Sequence, residues 1–170
     1  YTYAEFHDEC NLLARGLMAL GIGKGDHVGI WATNYPEWVV AQFATAKIGA
    51  VLVTVNPAYR SHELGYVLGQ SDARALILIG NFRTSDYVAM LNEVAPELRN
   101  SAPGSLNSAS FPQLKHVIFI PAPPGPSAPE HPAGMWRWRE IKELSKKVTE
   151  AALAARQAEC DPDDVINIQY

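Results

Sequence analysis

Histidine and cysteine side chains are the most frequent metal ligands in proteins, and this chain contains five histidines and two cysteines. They are His7, His27, His62, His116, His131, Cys10 and Cys160. No two histidines stand four residues apart, and the cysteines lie at opposite ends of the chain without C-x-x-C spacing. Metal ligands usually occur at such short spacings. We therefore expect no metal site and interpret the cysteines as reduced, partly buried thiols.

Serine and aspartate side chains are the next candidates for chemistry, as a nucleophile and as general acids or bases. A nucleophilic serine needs a sharp turn such as G-x-S-x-G, which the chain lacks, so Ser61 and Ser71 are interpreted as helix boundary residues. The candidate carboxylates all lie at predicted turns, where capping roles dominate. They are Asp26, Asp72, Asp163 and Asp164. The residues alone therefore predict no catalytic, cofactor-binding or metal-binding residue.

Three glycines, Gly21, Gly23 and Gly25, have a spacing that also occurs in phosphate-binding loops. A dinucleotide-binding loop follows a strand and begins a helix, so that the helix N-terminus meets the phosphates. Here a predicted helix precedes the glycines and a predicted strand follows them. We therefore interpret the glycines as a tight turn.

The segment MWRWRE, residues 135–140, alternates tryptophan with arginine. This composition is also used to stack nucleic-acid bases and hold phosphates. One short cluster in an acidic chain is weak evidence for such a role. Packing of a helix start onto the domain surface through cation–π contacts is the interpretation that we favour.

The composition is that of a globular protein, with 170 residues of which 48% are hydrophobic. There are 14 basic and 18 acidic residues and no basic block, which argues against a nucleic-acid partner or a polybasic membrane-binding surface. No run approaches the roughly 20 apolar residues of a membrane-spanning helix, so we expect no transmembrane segment. Because the first residue is Tyr1 rather than methionine, an upstream targeting segment is left open.

The hydrophobic pattern predicts helices that alternate with strands. Thr2 and Glu5 have the spacing of a capping box, and an apolar stripe follows as far as Gly21: Phe6, Cys10, Leu13, Leu17 and Leu20. The later strands are predicted at 27–32, 51–55, 75–79, 116–120 and 165–170, and the last of these is expected to be buried in the full-length protein. The later helices are predicted from Pro36 to Gly49 with Asn34 or Tyr35 as the cap, after a Ser61 cap, at 85–94, at 138–145 and at 146–160. This alternation predicts an α/β fold with a mainly parallel sheet.

A proline-rich segment interrupts this alternation. Six prolines lie between Pro121 and Pro132, which predicts an extended surface loop at 121–134. Its P-x-x-P spacings are also those of peptides that bind aromatic grooves, but the flanking arginine usual in such peptides is absent from the segment.

Several short motifs, taken in order, resemble those of one family. They are Thr2-Tyr3 with Glu5, Gly25-Asp26-His27-Val28, Asn34-Tyr35-Pro36-Glu37-Trp38, Lys47-Ile48-Gly49-Ala50, Val55-Asn56-Pro57, Glu63-Leu64 and Asp164-Val165-Ile166-Asn167-Ile168-Gln169-Tyr170. The resemblance is to the N-terminal part of the adenylate-forming acyl-CoA synthetases, or AMP-binding enzymes. It is strongest to the branch that contains acyl-CoA synthetase family member 2 and the bacterial medium- and long-chain fatty-acid CoA ligases. Tyr35 replaces a serine that is frequent in the family, which leaves Asn34 as the expected helix cap.

The resemblance implies that residues 1–170 are a partial N-terminal AMP-binding domain that ends just before the phosphate-binding loop T-S-G-T-T-G-x-P-K-G. It implies that the full-length protein is an acid–thiol ligase, which uses ATP, Mg²⁺ and coenzyme A to convert a fatty acid first to an acyl-adenylate and then to acyl-CoA. This span would be an inactive scaffold without catalytic, cofactor-binding or metal-binding residues. The implied compartment is the cytoplasm in a bacterium and the mitochondrial matrix in a eukaryote.

A second hypothesis is a free-standing, non-catalytic α/β domain that binds a partner through the proline-rich loop. The two hypotheses differ in whether the reading frame continues past Tyr170 into a loop rich in glycine, threonine and serine. We favour the ligase. Acyl chain length and oligomeric state are left open.

Overall fold

The computed structural model describes residues 1–122 and 131–170. It contains a six-stranded sheet and a separate two-stranded pair. The strands are, in chain order, β1 (His27–Trp31), β2 (Val51–Thr54), β3 (Ala75–Leu78), β4 (Asn81–Phe82), β5 (Ser85–Asp86), β6 (His116–Phe119), β7 (Trp136–Arg137) and β8 (Asn167–Gln169).

All neighbouring strands of the six-stranded sheet run parallel, in the order β7-β6-β3-β1-β2-β8. The pair β4 and β5 is an antiparallel hairpin. The predicted α/β fold with a mainly parallel sheet is confirmed. β7 was not predicted, because a two-residue strand is too short to show a hydrophobic period.

Helices directly follow β1, β2, β5 and β7. The helices are α1 (Tyr3–Ala19), α2 (Pro36–Lys47), α3 (Ser61–Gln70), α4 (Tyr87–Val94), α5 (Trp138–Leu144) and α6 (Glu150–Ala158), with short 3-10 helices at Pro96–Asn100 and Ser145–Lys147. α1 packs against α2 and α5, and α3 packs against α4. Every residue of β3 is buried, as expected for a parallel strand that is covered on both faces. Across the described ranges, no helix is both long enough and apolar enough to cross a bilayer.

The first helix forms as its sequence predicts. The Thr2 hydroxyl accepts a hydrogen bond from the Glu5 amide (3.2 Å), and the Glu5 carboxylate accepts one from the Thr2 amide (2.7 Å). Leu13 and Leu17, at the centre of the apolar stripe, are fully buried. Gly21 then adopts a φ of +84°, a left-handed conformation that glycine adopts without strain and that ends the helix.

The start of α2 differs from the prediction in its cap. Tyr35, one of the two predicted cap residues, occupies the cap position, but contrary to the expectation for a capping residue its side chain makes no capping hydrogen bond. Pro36, with its fixed φ, begins the helix. The apolar residues Val39 and Phe43 are 46% and 51% exposed, because the helix buries its small side chains against the sheet.

The predicted serine cap of α3 is wrong. Arg60 occupies the cap position, and Ser61 is the first helical residue. The Glu63 carboxylate reaches back to accept a hydrogen bond from the Arg60 amide (3.0 Å), while the Ser61 hydroxyl donates to Glu93 (2.6 Å). The Ser61 hydroxyl therefore joins α3 to α4.

Two later helices begin further along the chain than predicted, each behind a cap that the pattern did not reveal. α4 begins at Tyr87, after Asp86, whose carboxylate accepts a hydrogen bond from the Ala89 amide (2.9 Å). α6 begins at Glu150 rather than at residue 146, because Thr149 caps it and Val148 is extended.

The final strand is shorter than predicted, and the two apolar residues before it are exposed. β8 covers Asn167–Gln169, and Val165 and Ile166 before it are 61% and 48% exposed. β8 pairs with β2 and is the outermost strand on that side of the sheet, so no further strand covers it within the described residues. The burial of Ile166 that we expect concerns the full-length protein, and it stays a prediction.

Two other predictions concern residues 121–140. Residues 123–130 of the predicted surface loop at 121–134 lie outside the described residues. The predicted cation–π packing of MWRWRE is wrong, because its tryptophans form no cation–π contact in the part of the chain that the structure describes. Instead, Trp138 is 8% exposed within the core, and the Trp136 indole donates to His116 Nδ1 (3.4 Å). The cation–π contact that the described residues do contain is between Arg83 and Phe82.

Candidate functional site

The parallel sheet brings the carboxyl ends of its strands to one edge, where α/β proteins usually place their ligands. At this edge a cleft of about 640 Å³ lies beside the ends of β1, β2 and β8. Asn34, Asn56 and Tyr170 are among the residues that line it. This cleft is the candidate functional site, because it lies where the fold places ligands and offers both polar and aromatic groups.

The loop after β2 forms one wall of the cleft and makes a tight turn. The Asn56 side-chain oxygen accepts a hydrogen bond from the Ala58 amide (2.9 Å), and the Asn56 carbonyl accepts one from the Tyr59 amide (3.0 Å). Asparagine followed by proline favours such turns. The backbone of Asn56 and Pro57 is therefore locally ordered where it faces the cleft.

Two buried aromatic residues hold the same loop from inside the protein. The rings of Trp31, at the end of β1, and Tyr87, at the start of α4, stack with centroids 3.6 Å apart and planes 4° from parallel. The Trp31 indole N–H donates to the Asn56 carbonyl (3.2 Å), and the Tyr87 hydroxyl donates to the Pro57 carbonyl (2.6 Å). Burial raises the pKa of Tyr87 to about 12, so the phenol remains a neutral donor at physiological pH.

A second cleft, of about 510 Å³, lies at the carboxyl ends of β3 and β6. The β4–β5 hairpin lines it, with Arg83 at the hairpin turn in a left-handed conformation (φ +54°). The Arg60 guanidinium donates to the Ser85 hydroxyl (2.8 Å), which ties the loop after β2 to this hairpin. The two clefts therefore share a connected set of loops along one edge of the sheet.

The chain matches the sequence profile of the AMP-binding enzyme over residues 1–170. It belongs to the AMP-binding enzyme family. YngI of Bacillus subtilis strain 168, provisionally named an acyl-CoA synthetase, is 49% identical over 170 residues, which are 100% of this chain and 30% of that protein. The human mitochondrial medium-chain acyl-CoA ligase ACSF2 is 42% identical over 122 residues, which are 72% of this chain and 20% of that protein.

The fold is that of the N-terminal domain of the adenylate-forming enzymes. A fatty acyl CoA synthetase of Mycobacterium tuberculosis matches all of the chain with a TM-score of 0.61 and 23% identity, over 27% of its own length. The chain thus spans less than a third of the length of each of these relatives.

The aspartates considered from the sequence have structural roles at turns, as predicted. Asp26, just before β1, accepts a hydrogen bond from the Gly23 amide (2.7 Å) and forms an ion pair with Arg74 (2.9 Å). Asp164, before β8, accepts a hydrogen bond from the Asp161 amide (2.7 Å). These residues precede their strands, so they lie at the amino edge of the sheet, opposite the clefts. Two others are at turns: Asp72, in a left-handed conformation, and Asp163.

The glycines and Ser71 also have the local roles that the sequence predicts. Gly21 and Gly25 have positive φ angles, and the Gly25 amide donates to the Gly49 carbonyl (2.7 Å). This turn precedes β1, at the amino edge of the sheet. Ser71 caps the C-terminus of α3.

The histidines and cysteines are not brought together. In the ranges that the structure describes, no three His, Cys, Asp or Glu side chains form a group able to hold a metal ion. Burial lowers the pKa of His116, and the nearby positive charge of Arg74 lowers it further. Cys10 is a buried free thiol and Cys160 a partly buried one.

Trp31 and Tyr87 were not identified from the sequence as site residues. They lie on different elements, β1 and α4, and their rings meet only in the folded chain, so no local spacing joins them. The one related signal in the sequence is the pair Asn56-Pro57, which favours a turn but does not indicate what holds it. In this AMP-binding domain, the contacts that Trp31 and Tyr87 make with the loop can therefore be identified only from the tertiary structure.

Proposed function

We propose that this chain is part of a fatty-acid CoA ligase that acts on medium- or long-chain carboxylates. In the first step, a carboxylate oxygen attacks the α-phosphorus of ATP, the bond to pyrophosphate breaks, and an acyl-adenylate forms. In the second step, the thiol of coenzyme A attacks the acyl carbon, loses its proton and displaces AMP. Mg²⁺ accompanies ATP in this proposal.

The observation that supports the proposal is the cleft where β1, β2 and β8 end, within a chain that matches the AMP-binding family throughout. Tyr170 lines this cleft, and its amide donates to the Thr54 carbonyl of β2 (3.4 Å). In the proposed enzyme, this span is a scaffold that places the nucleotide site and contributes no catalytic, nucleotide-binding or metal-binding side chain.

In this proposal, the cellular compartment depends on whether the protein comes from a bacterium or a eukaryote. It is the cytoplasm in a bacterium and the mitochondrial matrix in a eukaryote, as the name of the human relative indicates for that protein.

The test is acyl-CoA formation by the full-length protein that contains this chain. Short-, medium- and long-chain fatty acids and an aromatic acid are each supplied with ATP, Mg²⁺ and coenzyme A, and acyl-CoA and pyrophosphate are measured. We expect product with medium- or long-chain acids, and no pyrophosphate above a heat-denatured control from residues 1–170 alone. Product only with short-chain or aromatic acids would contradict the fatty-acid assignment. No product with any acid would favour the non-catalytic binding domain.

A further inference from the structure

The backbone of Asn56 and Pro57 is held by more contacts than an ordinary surface turn requires. Two consecutive carbonyls each accept a hydrogen bond from a different aromatic side chain, and the two donors stack on each other. Trp31 and Tyr87 are both fully buried. A buried indole or phenol that donates to a loop carbonyl restricts that carbonyl's position, because leaving the donor unpaired would cost free energy.

The loop that these residues hold is a wall of the candidate cleft. Asn56 and Pro57 line the cleft together with Tyr170, which continues the line of β8 beside β2. Any displacement of the Asn56 and Pro57 carbonyls therefore changes the shape of the cleft. Neither Trp31 nor Tyr87 is among the residues that line the cleft, so both act on it through the loop.

We propose that Trp31 and Tyr87 form an aromatic clamp that positions the Asn56–Pro57 wall for nucleotide binding in the proposed ligase. The clamp is defined as these two side chains and their hydrogen bonds to the two carbonyls. This inference rests on the proposed function, in which the nucleotide site is completed next to this wall. Trp31 and Tyr87 are positioning residues and do not contact the nucleotide.

The clamp predicts a selective effect on ATP. Tyr87→Phe keeps the ring and its stacking on Trp31 but removes the hydroxyl, so the Pro57 carbonyl loses its donor. The wall then samples other positions, and we expect the ATP dissociation constant and the KM for ATP to rise about three- to tenfold, the effect of losing one ordinary hydrogen bond. The KM for the fatty acid should stay within about twofold of the wild-type value. Loss of stability alone would instead lower kcat by reducing the folded fraction and leave both KM values unchanged.

The experiment uses the full-length protein and measures three quantities for each variant. These are ATP affinity by equilibrium titration without fatty acid, KM and kcat for each substrate, and the thermal unfolding midpoint. Tyr3→Phe is the matched control, because Tyr3 is 96% exposed. Trp31→Phe removes the indole N–H that donates to the Asn56 carbonyl. The double variant Trp31→Phe with Tyr87→Phe tests whether the two hydrogen bonds affect ATP binding independently. If both donors hold one wall, the double variant should weaken ATP binding by less than the product of the two single effects.

The outcomes separate the clamp from the proposed function. A rise in the ATP dissociation constant and in the KM for ATP in Tyr87→Phe, but not in Tyr3→Phe, would support the clamp. Unchanged ATP affinity in both Tyr87→Phe and Trp31→Phe would overturn it. If the wild-type protein binds ATP but forms no acyl-CoA, the proposed ligase fails while the titration still decides the clamp. If the wild-type protein binds no ATP, both are overturned.

Discussion

Asp164 shows how one side chain fixes the approach to the final strand. Its carboxylate accepts a hydrogen bond from the Asp161 amide (2.7 Å) and one from the Lys24 ammonium (2.7 Å). The Lys24 ammonium also donates to the Glu159 carbonyl (2.7 Å), at the end of α6. One cation therefore joins the turn before β1 to the segment that leads into β8.

The same contacts shift the pKa values of Asp164 and Lys24. The hydrogen bond from the Asp161 amide, followed by that from Lys24, lowers the pKa of Asp164 below its ordinary value. The hydrogen bond to Asp164 raises the pKa of Lys24 above its ordinary value. Because the folded-state pKa of Asp164 is lowered, its contribution to stability is complete above the ordinary aspartate pKa and is lost as the pH falls through the folded-state value. For Lys24 the contribution is lost as the pH rises through its raised pKa.

At the residue scale, we predict that Asp164→Asn lowers the urea midpoint of unfolding at neutral pH. The difference from the wild type should shrink as the pH falls below about 4, where the wild-type carboxylate also becomes protonated. Urea unfolding between about pH 2 and pH 7 measures this effect. Asp163→Asn is the control, since that neighbouring aspartate is exposed. A difference that does not change with pH would show that the charge of Asp164 contributes nothing to stability.

At the scale of elements, the contact between α1 and α5 depends on one glycine. A Cβ atom added to Gly16 would lie 2.1 Å from the Ile141 carbonyl oxygen. That distance is far below a van der Waals contact, and the atom it meets belongs to the backbone of a buried helix residue. α1 and α5 can therefore pack this closely only without a side chain at residue 16.

We predict that Gly16→Ala destabilises the protein by about 2–4 kcal/mol, because α1 and α5 must move apart. Gly69→Ala is the matched control, since nothing lies within 4 Å of an added Cβ in α3. This control should be neutral or up to about 0.5–1 kcal/mol more stable, because alanine loses less backbone entropy than glycine in a helix. Urea unfolding measures both variants. A Gly16→Ala protein as stable as the control would rule out the close packing of α1 on α5.

Several elements with a complete local signal were predicted from the sequence, although the local caps Asp86 and Thr149 were missed, and elements that depend on tertiary contacts were not predicted. The α1 cap lies within four residues, and the apolar run of β3 is typical of a strand covered on both faces. The cap of α3 was misassigned because Ser61 has a stronger capping preference than Arg60 but bonds to Glu93 on another helix. β7 and the position of Ile166 depend on neighbouring strands, which no local pattern specifies.

At the scale of the whole molecule, the sequence predicted the mainly parallel sheet but not how the loops at its carboxyl edge are held. The turn at Asn56 and Pro57 has a local signal, whereas its contacts with Trp31 and Tyr87 join three separate elements. The proposed reaction rests on the family resemblance, since the residues alone predicted none. The cleft and the clamp emerged only from the assembled sheet and helices.

Apolar side chains beside β8 form an exposed surface at one side of the sheet. Val165 and Ile166 are 61% and 48% exposed, and β8 is the outermost strand there. An uncovered strand edge next to apolar side chains favours pairing with another chain. The described structure thus contains a surface suited to self-association.

We predict that residues 1–170 form concentration-dependent oligomers in solution, and that the double variant Val165→Lys with Ile166→Lys is more monomeric. Added lysines discourage edge pairing by charge repulsion and hydration. Analytical ultracentrifugation at several protein concentrations measures the effect. The comparison variant carries Val39→Lys and Phe43→Lys on α2, which are exposed to a similar extent. If this second variant abolished association and the first did not, the contact surface would be α2 rather than β8.

The order in which the sheet can be completed during synthesis follows from the partner of β8. Leu52 of β2 lies opposite Asn167 of β8, more than one hundred residues later in the chain. On the ribosome, β1, β2, β3 and β6 emerge first and can pair with one another before β8 exists. Throughout that interval one edge of β2 stays unpaired, although Leu52 and Val53 belong to the core of the finished domain. The nascent chain therefore carries an open, apolar strand edge for the time needed to translate this interval, and chaperones that bind such edges have their best opportunity then.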